Sequence, residues 1–154
     1  MSTGAPRPTM RIAAGADHAG FELKQHLVAY LRERGHEVLD LGVDSPARSD
    51  YPDQAAAVAR AIVAGTAERG LLVCGTGVGM AIAANKVRGV RAANCDDLFV
   101  ARHARAHNDA NILTLGARVV GAGLAEELLE TFLETPFAGG RHAARVGKID
   151  DLEG

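Results

Sequence analysis

The segment GLLVCGTGVGMAIAANK, residues 70–86, joins an apolar run to three glycines at alternate positions and then to a stretch of small residues. This order predicts a strand over 71–75, a tight turn, and a helix over about 78–88. Cys74, one of only two cysteines in the chain, stands where the strand meets the turn. The segment therefore predicts a strand–loop–helix unit with a thiol at the bend.

The same alternation of strand and helix continues on both sides of this segment. The other predicted strands are 10–15, 37–42, 90–95 and 111–116, and the other predicted helices are 20–34, 53–68, 97–107 and 121–134. Five alternations predict an α/β fold, a Rossmann-like doubly wound sandwich with a five-stranded parallel sheet and helices on both faces.

The two ends of the chain differ from this pattern. Residues 1–9 carry no apolar signal-peptide core and are predicted to be a disordered N-terminal tail, and residues 10–154 a single domain. The segment after Pro136 is predicted to be a solvated charged tail, in which Arg141 and Arg145 would share one side of any helix that forms.

Composition excludes several classes of function. A formal net charge of -2 and six Phe and Tyr residues without Trp argue against a nucleic-acid partner. No apolar run approaches the roughly 18 residues that a membrane span needs. Two cysteines are too few for a disulfide framework, which favours the cytoplasm.

Polar residues follow the predicted strands, where a parallel sheet forms its ligand crevice. They are Asp17 and His18 after the first strand, Tyr51 after the second, Cys74–Gly79 after the third and Arg118 after the fifth. Other roles remain open at this point, since Asp17 could cap a helix and His18 could be a surface histidine.

The glycine loop lacks the nucleotide-binding motifs that it superficially resembles. Met80 or Ile82 stands where GxGxxG needs its third glycine, and Lys86 follows Asn85 instead of the glycine of a P-loop. What remains is a group of backbone N–H donors at a helix start, suited to a bound anion or to charge that develops during a reaction. A thiol there is either a reactive thiolate or an inert small hydrophobe.

The remaining candidates are one cysteine and two histidines. Cys95 has no glycine loop beside it and is predicted to be inert. His103 and His107 have a spacing that could bind zinc, but no third ligand follows, so no metal site is predicted. His107, in HNDAN, is predicted to act in proton transfer.

Taken together, six segments in order resemble the type B ribose-5-phosphate isomerases, which share a superfamily with the galactose-6-phosphate isomerase subunits. They span residues 15–146 and are GADHAGFELK (15–24), SDYPD (49–53), CGTGVGMAIAANK (74–86), RAHNDAN (105–111), LGARVVG (115–121) and GGRHAARV (139–146). The resemblance implies an enzyme that interconverts an aldose phosphate and its ketose through a cis-enediolate, without metal or organic cofactor.

The resemblance also implies roles for individual residues. Cys74 resembles the base that takes the C2 proton, and His107, with Asp17 nearby, the group that opens the sugar ring. Thr76 and the amides of Gly75, Gly77 and Gly79 resemble the cradle for the enediolate oxygen. The residues resembling the substrate-positioning and phosphate-binding groups are Tyr51, Asn108, His18, Arg118, Arg141 and Arg145. Some members carry serine and a loop glutamate instead; Cys74 and Val78 here place the chain in the cysteine-based branch.

The family resemblance further implies a homodimer, or a tetramer, whose active sites draw residues from both chains. The favoured substrate pair is ribose 5-phosphate and ribulose 5-phosphate. Three alternatives stay open: the same chemistry on allose or galactose 6-phosphate or on a tetrulose 4-phosphate, a non-catalytic sugar-phosphate sensor, and a thiol redox protein. The redox alternative is disfavoured because no CxxC motif accompanies Cys74.

Overall fold

The structure, a computed structural model, describes residues 9–153. Except for Thr9, the predicted N-terminal tail lies outside these residues. The described strands are β1 (Arg11–Ala16), β2 (Glu37–Asp40), β3 (Arg69–Cys74), β4 (Ala92–Asn94) and β5 (Ile112–Gly116). The described helices are α1 (Phe21–Glu33), α2 (Tyr51–Val63), α3 (Val78–Ala84), α4 (Leu98–Ala106), α5 (Ala122–Glu134) and α6 (Arg141–Asp151). None of these helices is long and apolar enough to cross a membrane.

The five strands form one parallel sheet in the order β2-β1-β3-β5-β4. The predicted fold class is therefore confirmed. Each crossover between two parallel strands passes over one face of the sheet. Helices α1, α4 and α5 cover one face, and α2 and α3 cover the other. The three central strands β1, β3 and β5 are almost entirely buried, which explains why their sequences are mainly apolar.

The alternation of side chains along β3 divides the core into two layers. Leu71 and Val73 belong to a buried cluster with side chains of α1, α4 and α5, whereas Leu72 and Cys74 belong to a second cluster with side chains of α2 and α3. Each buried leucine contributes about 1.5–3 kcal/mol relative to an exposed one. Cys74 thus lies on the same face of the sheet as α3, the helix that its own loop leads into.

The segment after Pro136 corrects a prediction. Instead of a solvated tail it contains α6, whose inner side buries His142 and Val146, four residues apart. Asp150 pairs with Arg91 Nη1 at 3.2 Å, and Glu153 Oε2 accepts from the backbone N–H of Gly89 at 2.9 Å. Asp150 and Glu153, two of the charged residues that suggested a solvated tail, therefore hold this segment against the rest of the fold.

Several element boundaries also differ from the predictions. Helix α2 begins at Tyr51, two residues before the predicted start, and α3 ends at Ala84 rather than 88. Helix α3 is short because the Asn85 side chain pairs with the backbone of Ala92, accepting at 2.8 Å and donating at 3.0 Å. This side-chain pairing turns the chain out of the helix and towards β4.

Candidate active site

The loop after β3 places a backbone donor on the cysteine sulfur. The N–H of Gly77 donates to Cys74 Sγ over 3.1 Å, and the Cys74 side chain is 5 % exposed. Gly77 has φ +85°, and an added methyl group would clash with the Asn94 carboxamide and lie 2.9 Å from the carbonyl carbon of Leu115. The loop therefore directs a backbone donor at the sulfur and shields the sulfur from solvent.

Thr76 and the start of α3 complete the loop. Thr76 Oγ1 accepts from the N–H of Val78 at 3.2 Å, and the carbonyl of Gly77 accepts from Ala81 at 3.1 Å. Thr76 is exposed beside the buried sulfur. The loop therefore presents a hydroxyl and several peptide groups around one thiol.

Two further predicted residues lie against the glycine loop. The Tyr51 ring packs on Gly79, where an added methyl group would be 2.6 Å from ring atom Cε1. The Arg118 guanidinium lies over Gly75, 3.7 Å from the position that an added methyl group would take. The backbone N–H of Arg118 donates to the Gly75 carbonyl at 3.0 Å. The structure thus brings Tyr51 and Arg118 to the loop that carries Cys74.

Asp17 and His18 follow the neighbouring strand β1 at the same edge. Asp17 is buried and its Oδ1 accepts from Gly20 N–H at 3.0 Å, so its carboxylate does cap the turn before α1. His18 Nδ1 accepts from Ser49 N–H at 3.2 Å. The same nitrogen also lies 3.2 Å from the Ser49 carbonyl oxygen, so the Ser49 backbone holds the His18 ring in place.

The other predicted residues form a second cluster at the junction of α4 and α6. The His107 ring stacks on the His142 ring at 4.0 Å between centroids, and Arg141 and Arg145 lie exposed on the first turns of α6. Desolvation lowers the pKa of His142, and His107, Arg141 and Arg145 lower it further. Asn108, also exposed, follows His107. This group, called here the His107 cluster, is a concentration of positive charge suited to a phosphate.

Within one chain the His107 cluster lies at the opposite edge of the sheet from Cys74. His107 caps the end of α4, which returns the chain to the start of β5, and there Asn111 O accepts from Gly70 N–H, near the start of β3. Cys74 is four residues further on, about 13 Å along the strand. Asp17, whose N–H donates to Val73 O, is at the Cys74 edge.

The structure therefore separates Asp17 from His107 within one chain, although the resemblance implies that the two act together. The reason is topological: a crossover helix ends where the next strand begins, whereas Asp17 follows the end of a strand. The sequence pattern places Asp17 after a strand and His107 at the end of a helix, and their proximity is implied by the family resemblance alone.

Sequence reasoning missed three residues that support the loops. Lys24 is fully buried and its Nζ donates to Asp40 Oδ1 at 2.7 Å and to Val43 O at 2.6 Å, which fixes the chain after β2. Thr114 and Asn94 contact Gly77. Lys24 shares its helix face with Leu27 and Leu31, and Thr114 lies within an aliphatic strand. The sequence pattern therefore indicates that both polar side chains are buried.

The structure also bears on the less favoured candidates. Burial, with Asp96 and Asp97 nearby, raises the pKa of Cys95 to about 11, which keeps it a neutral thiol near neutrality. Residues 9–153 contain no group of three or more His, Cys, Asp or Glu side chains that could hold a metal ion. A cavity of about 880 Å³ lies at the opposite edge from Cys74, beside Arg34, Arg69 and Arg105.

Comparison with known proteins gives consistent matches over almost the whole chain. The model of the Ribose/Galactose Isomerase family matches residues 12–149. Ribose-5-phosphate isomerase B of Escherichia coli is 48% identical over 143 residues, covering 93% of this chain and 96% of that protein. D-erythrulose-4-phosphate isomerase of Pectobacterium atrosepticum is 45% identical over 145 residues, covering 94% and 95%.

Solved structures give the same result. The structure of ribose-5-phosphate isomerase B from Clostridium thermocellum matches with a TM-score of 0.93 and 51% identity, covering 94% of this chain and 97% of that one. The doubly wound sandwich described above is therefore the fold of that enzyme.

Proposed function

Since the chain belongs to the ribose/galactose isomerase family and is a sugar-phosphate isomerase, we propose that it interconverts ribose 5-phosphate and ribulose 5-phosphate, with Cys74 as the base. The observation that carries the assignment of the base is the hydrogen bond from Gly77 N–H to Cys74 Sγ. The substrate is proposed from relatives named ribose-5-phosphate isomerase B, such as those of Escherichia coli and Clostridium thermocellum, which are 48% and 51% identical to this chain.

The proposed reaction moves one proton between neighbouring carbons. The Cys74 thiolate takes the proton from C2 of the open-chain aldose, and the electron pair forms a C1–C2 double bond while the C1 carbonyl oxygen becomes negative. The Cys74 thiol then returns the proton to C1, and the hydroxyl proton on O2 passes to O1. General base catalysis of this kind contributes about 10²- to 10⁴-fold to the rate.

The loop residues stabilise the enediolate in this proposal. Thr76 Oγ1 and the peptide N–H groups of Gly75 and Gly79 surround the developing oxyanion, while the N–H of Gly77 holds the sulfur. One such donor is worth roughly 3–4 kcal/mol in well-studied enzymes. Tyr51, against Gly79, positions the sugar carbon chain.

The proposed active site needs a second copy of the chain. Cys74 and the His107 cluster lie at opposite edges of one sheet, so the partner subunit's His107 opens the sugar ring and the partner's Asn108, Arg141 and Arg145 reach the substrate. His18 and Arg118 bind the phosphate from the Cys74 side. Exposed apolar side chains flank both groups, including Val78 and Ile82 on α3 and Phe99 on α4, at 49%, 59% and 63% exposure. A homodimer, alone or within a tetramer, would cover these side chains.

Three further proposals complete the functional assignment. Residues 10–154 act as a single catalytic domain. Both cysteines are free, which supports a reducing cytoplasmic location. The donor set around Cys74 consists of a thiol, hydroxyl and peptide groups, and the reaction needs no metal or organic cofactor.

The test of the substrate is a panel of four-, five- and six-carbon aldose and ketose phosphates, with unphosphorylated ribose as the matched control. Ribose 5-phosphate is expected to give the highest kcat/KM, and ribose without phosphate a value at least 10²-fold lower, because the phosphate supplies remote binding energy. The relative that acts on D-erythrulose 4-phosphate makes a four-carbon substrate the second candidate. A higher kcat/KM for tetrulose 4-phosphate would replace the pentose assignment, and no turnover of any phosphate would favour the sensor.

Arg141→Ala is expected to raise KM for ribose 5-phosphate about 10- to 100-fold, because a charge-assisted hydrogen bond contributes about 1.5–3 kcal/mol. Steady-state kinetics measure this change. Lys148→Ala is the matched control, since Lys148 is an exposed cation on the same helix, and it should leave KM unchanged. Equal KM values for the wild type and Arg141→Ala would remove Arg141 from the phosphate site.

A further inference from the structure

We propose that Thr114 is a positioning residue that fixes Gly77 so that its N–H stays directed at Cys74 Sγ. This inference rests on the proposed role of Cys74 as the base. Thr114 lies in β5, between Leu72 of β3 and Asn94 of β4, with no exposed surface. A hydroxyl in such a place is unfavourable unless it is hydrogen-bonded.

The Thr114 hydroxyl contacts the glycine loop directly. Its Oγ1 donates to the carbonyl of Gly77 over 2.8 Å and lies 3.2 Å from Asn94 Oδ1. The same carbonyl accepts from Ala81 N–H, so both lone pairs of Gly77 O are used. Gly77 is thereby held by the sheet on one side and by the first turn of α3 on the other.

Gly77 does not hold this geometry by itself. Gly77 has no side chain, and its φ of +85° lies in a region that glycine enters and leaves freely. The Asn94 carboxamide packs against the glycine at the place where a Cβ would be, which limits its movement less than a hydrogen bond does. The hydroxyl of Thr114 is the side-chain group that ties Gly77 to a rigid strand.

Fixing Gly77 affects two backbone donors of the loop, the N–H of Gly77 and the N–H of Val78. The carbonyl that Thr114 holds belongs to the same peptide unit as the N–H of Val78, which donates to Thr76 Oγ1. Donation to a peptide carbonyl also polarises the N–H at the other end of that peptide. By holding the carbonyl of Gly77, Thr114 therefore fixes the residue whose N–H points to the sulfur, and it orders the hydroxyl of Thr76. Thr114 itself is buried and does not touch the substrate.

The test compares Thr114→Val with Thr114→Ser. Valine keeps the volume and removes the hydrogen bond, whereas serine keeps the hydroxyl. Thr114→Val is expected to lower kcat about fivefold with KM within about twofold, and to raise the midpoint pH of Cys74 alkylation by about half a unit to one unit. Thr114→Ser should restore most of both. Iodoacetamide labelling read by peptide mapping separates Cys74 from Cys95.

Control variants separate positioning from a general loss of packing. Thr135→Val removes a hydroxyl that also bonds a backbone carbonyl, Thr131 O at 2.6 Å, but at the far edge of the sheet, and should change neither readout. Asn94→Ala, at an exposed residue that packs against Gly77, should shift the alkylation midpoint in the same direction as Thr114→Val but by less. This variant replaces Thr114→Val in the test if the valine variant fails to fold.

Two failures can be told apart. If Cys74→Ala is inactive while Thr114→Val has the wild-type kcat and alkylation midpoint, the positioning role is wrong and the proposed base stands. The positioning role is also wrong if Thr114→Ser is as impaired as Thr114→Val. If Cys74→Ala turns over ribose 5-phosphate at the wild-type rate, the proposed base itself is wrong.

Discussion

Cys74→Ala is expected to lower kcat by about 10²- to 10⁴-fold while leaving the fold and phosphate binding nearly intact. The loss follows from the removal of the group that takes the C2 proton, since alanine has no basic atom. The fold should survive because Cys74 is a small side chain at the end of β3, and the strand ladder to β5 does not use its sulfur. Steady-state kinetics, with thermal unfolding and binding of inorganic phosphate, measure the three effects.

Cys95→Ala is the matched control for this variant. Cys95 is also buried, but burial and nearby aspartates raise the pKa of its thiol to about 11, so it is protonated at neutral pH. Its replacement should leave kcat within about twofold of the wild type. Turnover at the wild-type rate in Cys74→Ala, or a large loss in Cys95→Ala, would reject Cys74 as the base.

His107→Ala is expected to lower kcat for ribose 5-phosphate by about 10²-fold or more, because it removes the acid–base group that opens the sugar ring. Each site is proposed to combine Cys74 of one subunit with His107 of the partner subunit. Mixing the inactive Cys74→Ala and His107→Ala proteins, with subunit exchange, should therefore restore activity. Random exchange gives heterodimers with one intact site each, or about one quarter of the wild-type activity.

A mixture of each variant with itself, treated identically, is the control for this experiment. It should remain inactive, because every site then lacks the same group. If exchanged heterodimers, verified by mass spectrometry, recover no activity, Cys74 and His107 do not belong to one shared site. Activity of the His107→Ala protein at the wild-type level would instead remove His107 from the ring-opening step.

Much of the fold could be predicted because its signals are local. The run from Leu71 to Cys74 and the small residues after Gly77 each indicate one element, and five such alternations leave few topologies for a parallel sheet. The error after Pro136 has a physical cause. Helix α6 docks through the burial of His142 and Val146 and through the contact of Asp150 with Arg91, distant in sequence, and no pattern within the segment reveals these contacts.

The candidate site was predictable as a set of residues but not as an arrangement. The glycine loop and Cys74 stand out because a turn and a thiol at a strand end are local features. The placement of His107 at the other edge of the sheet depends on the length and direction of α4, and the contact of Thr114 with Gly77 depends on the pairing of β5 with β3. Such long-range geometry is set by tertiary packing.

The transfer of hydrogen by Cys74 is tested most directly by incubating ribose 5-phosphate with the enzyme in heavy water and following C1 and C2 by NMR. The wild type is expected to introduce solvent deuterium at C1 of ribulose 5-phosphate and at C2 of the remaining ribose 5-phosphate, because the thiol exchanges its proton with solvent between abstraction and return. Cys74→Ala should introduce almost none. Deuterium incorporation by Cys74→Ala at the wild-type rate, or its absence in wild-type product, would contradict proton transfer by the sulfur.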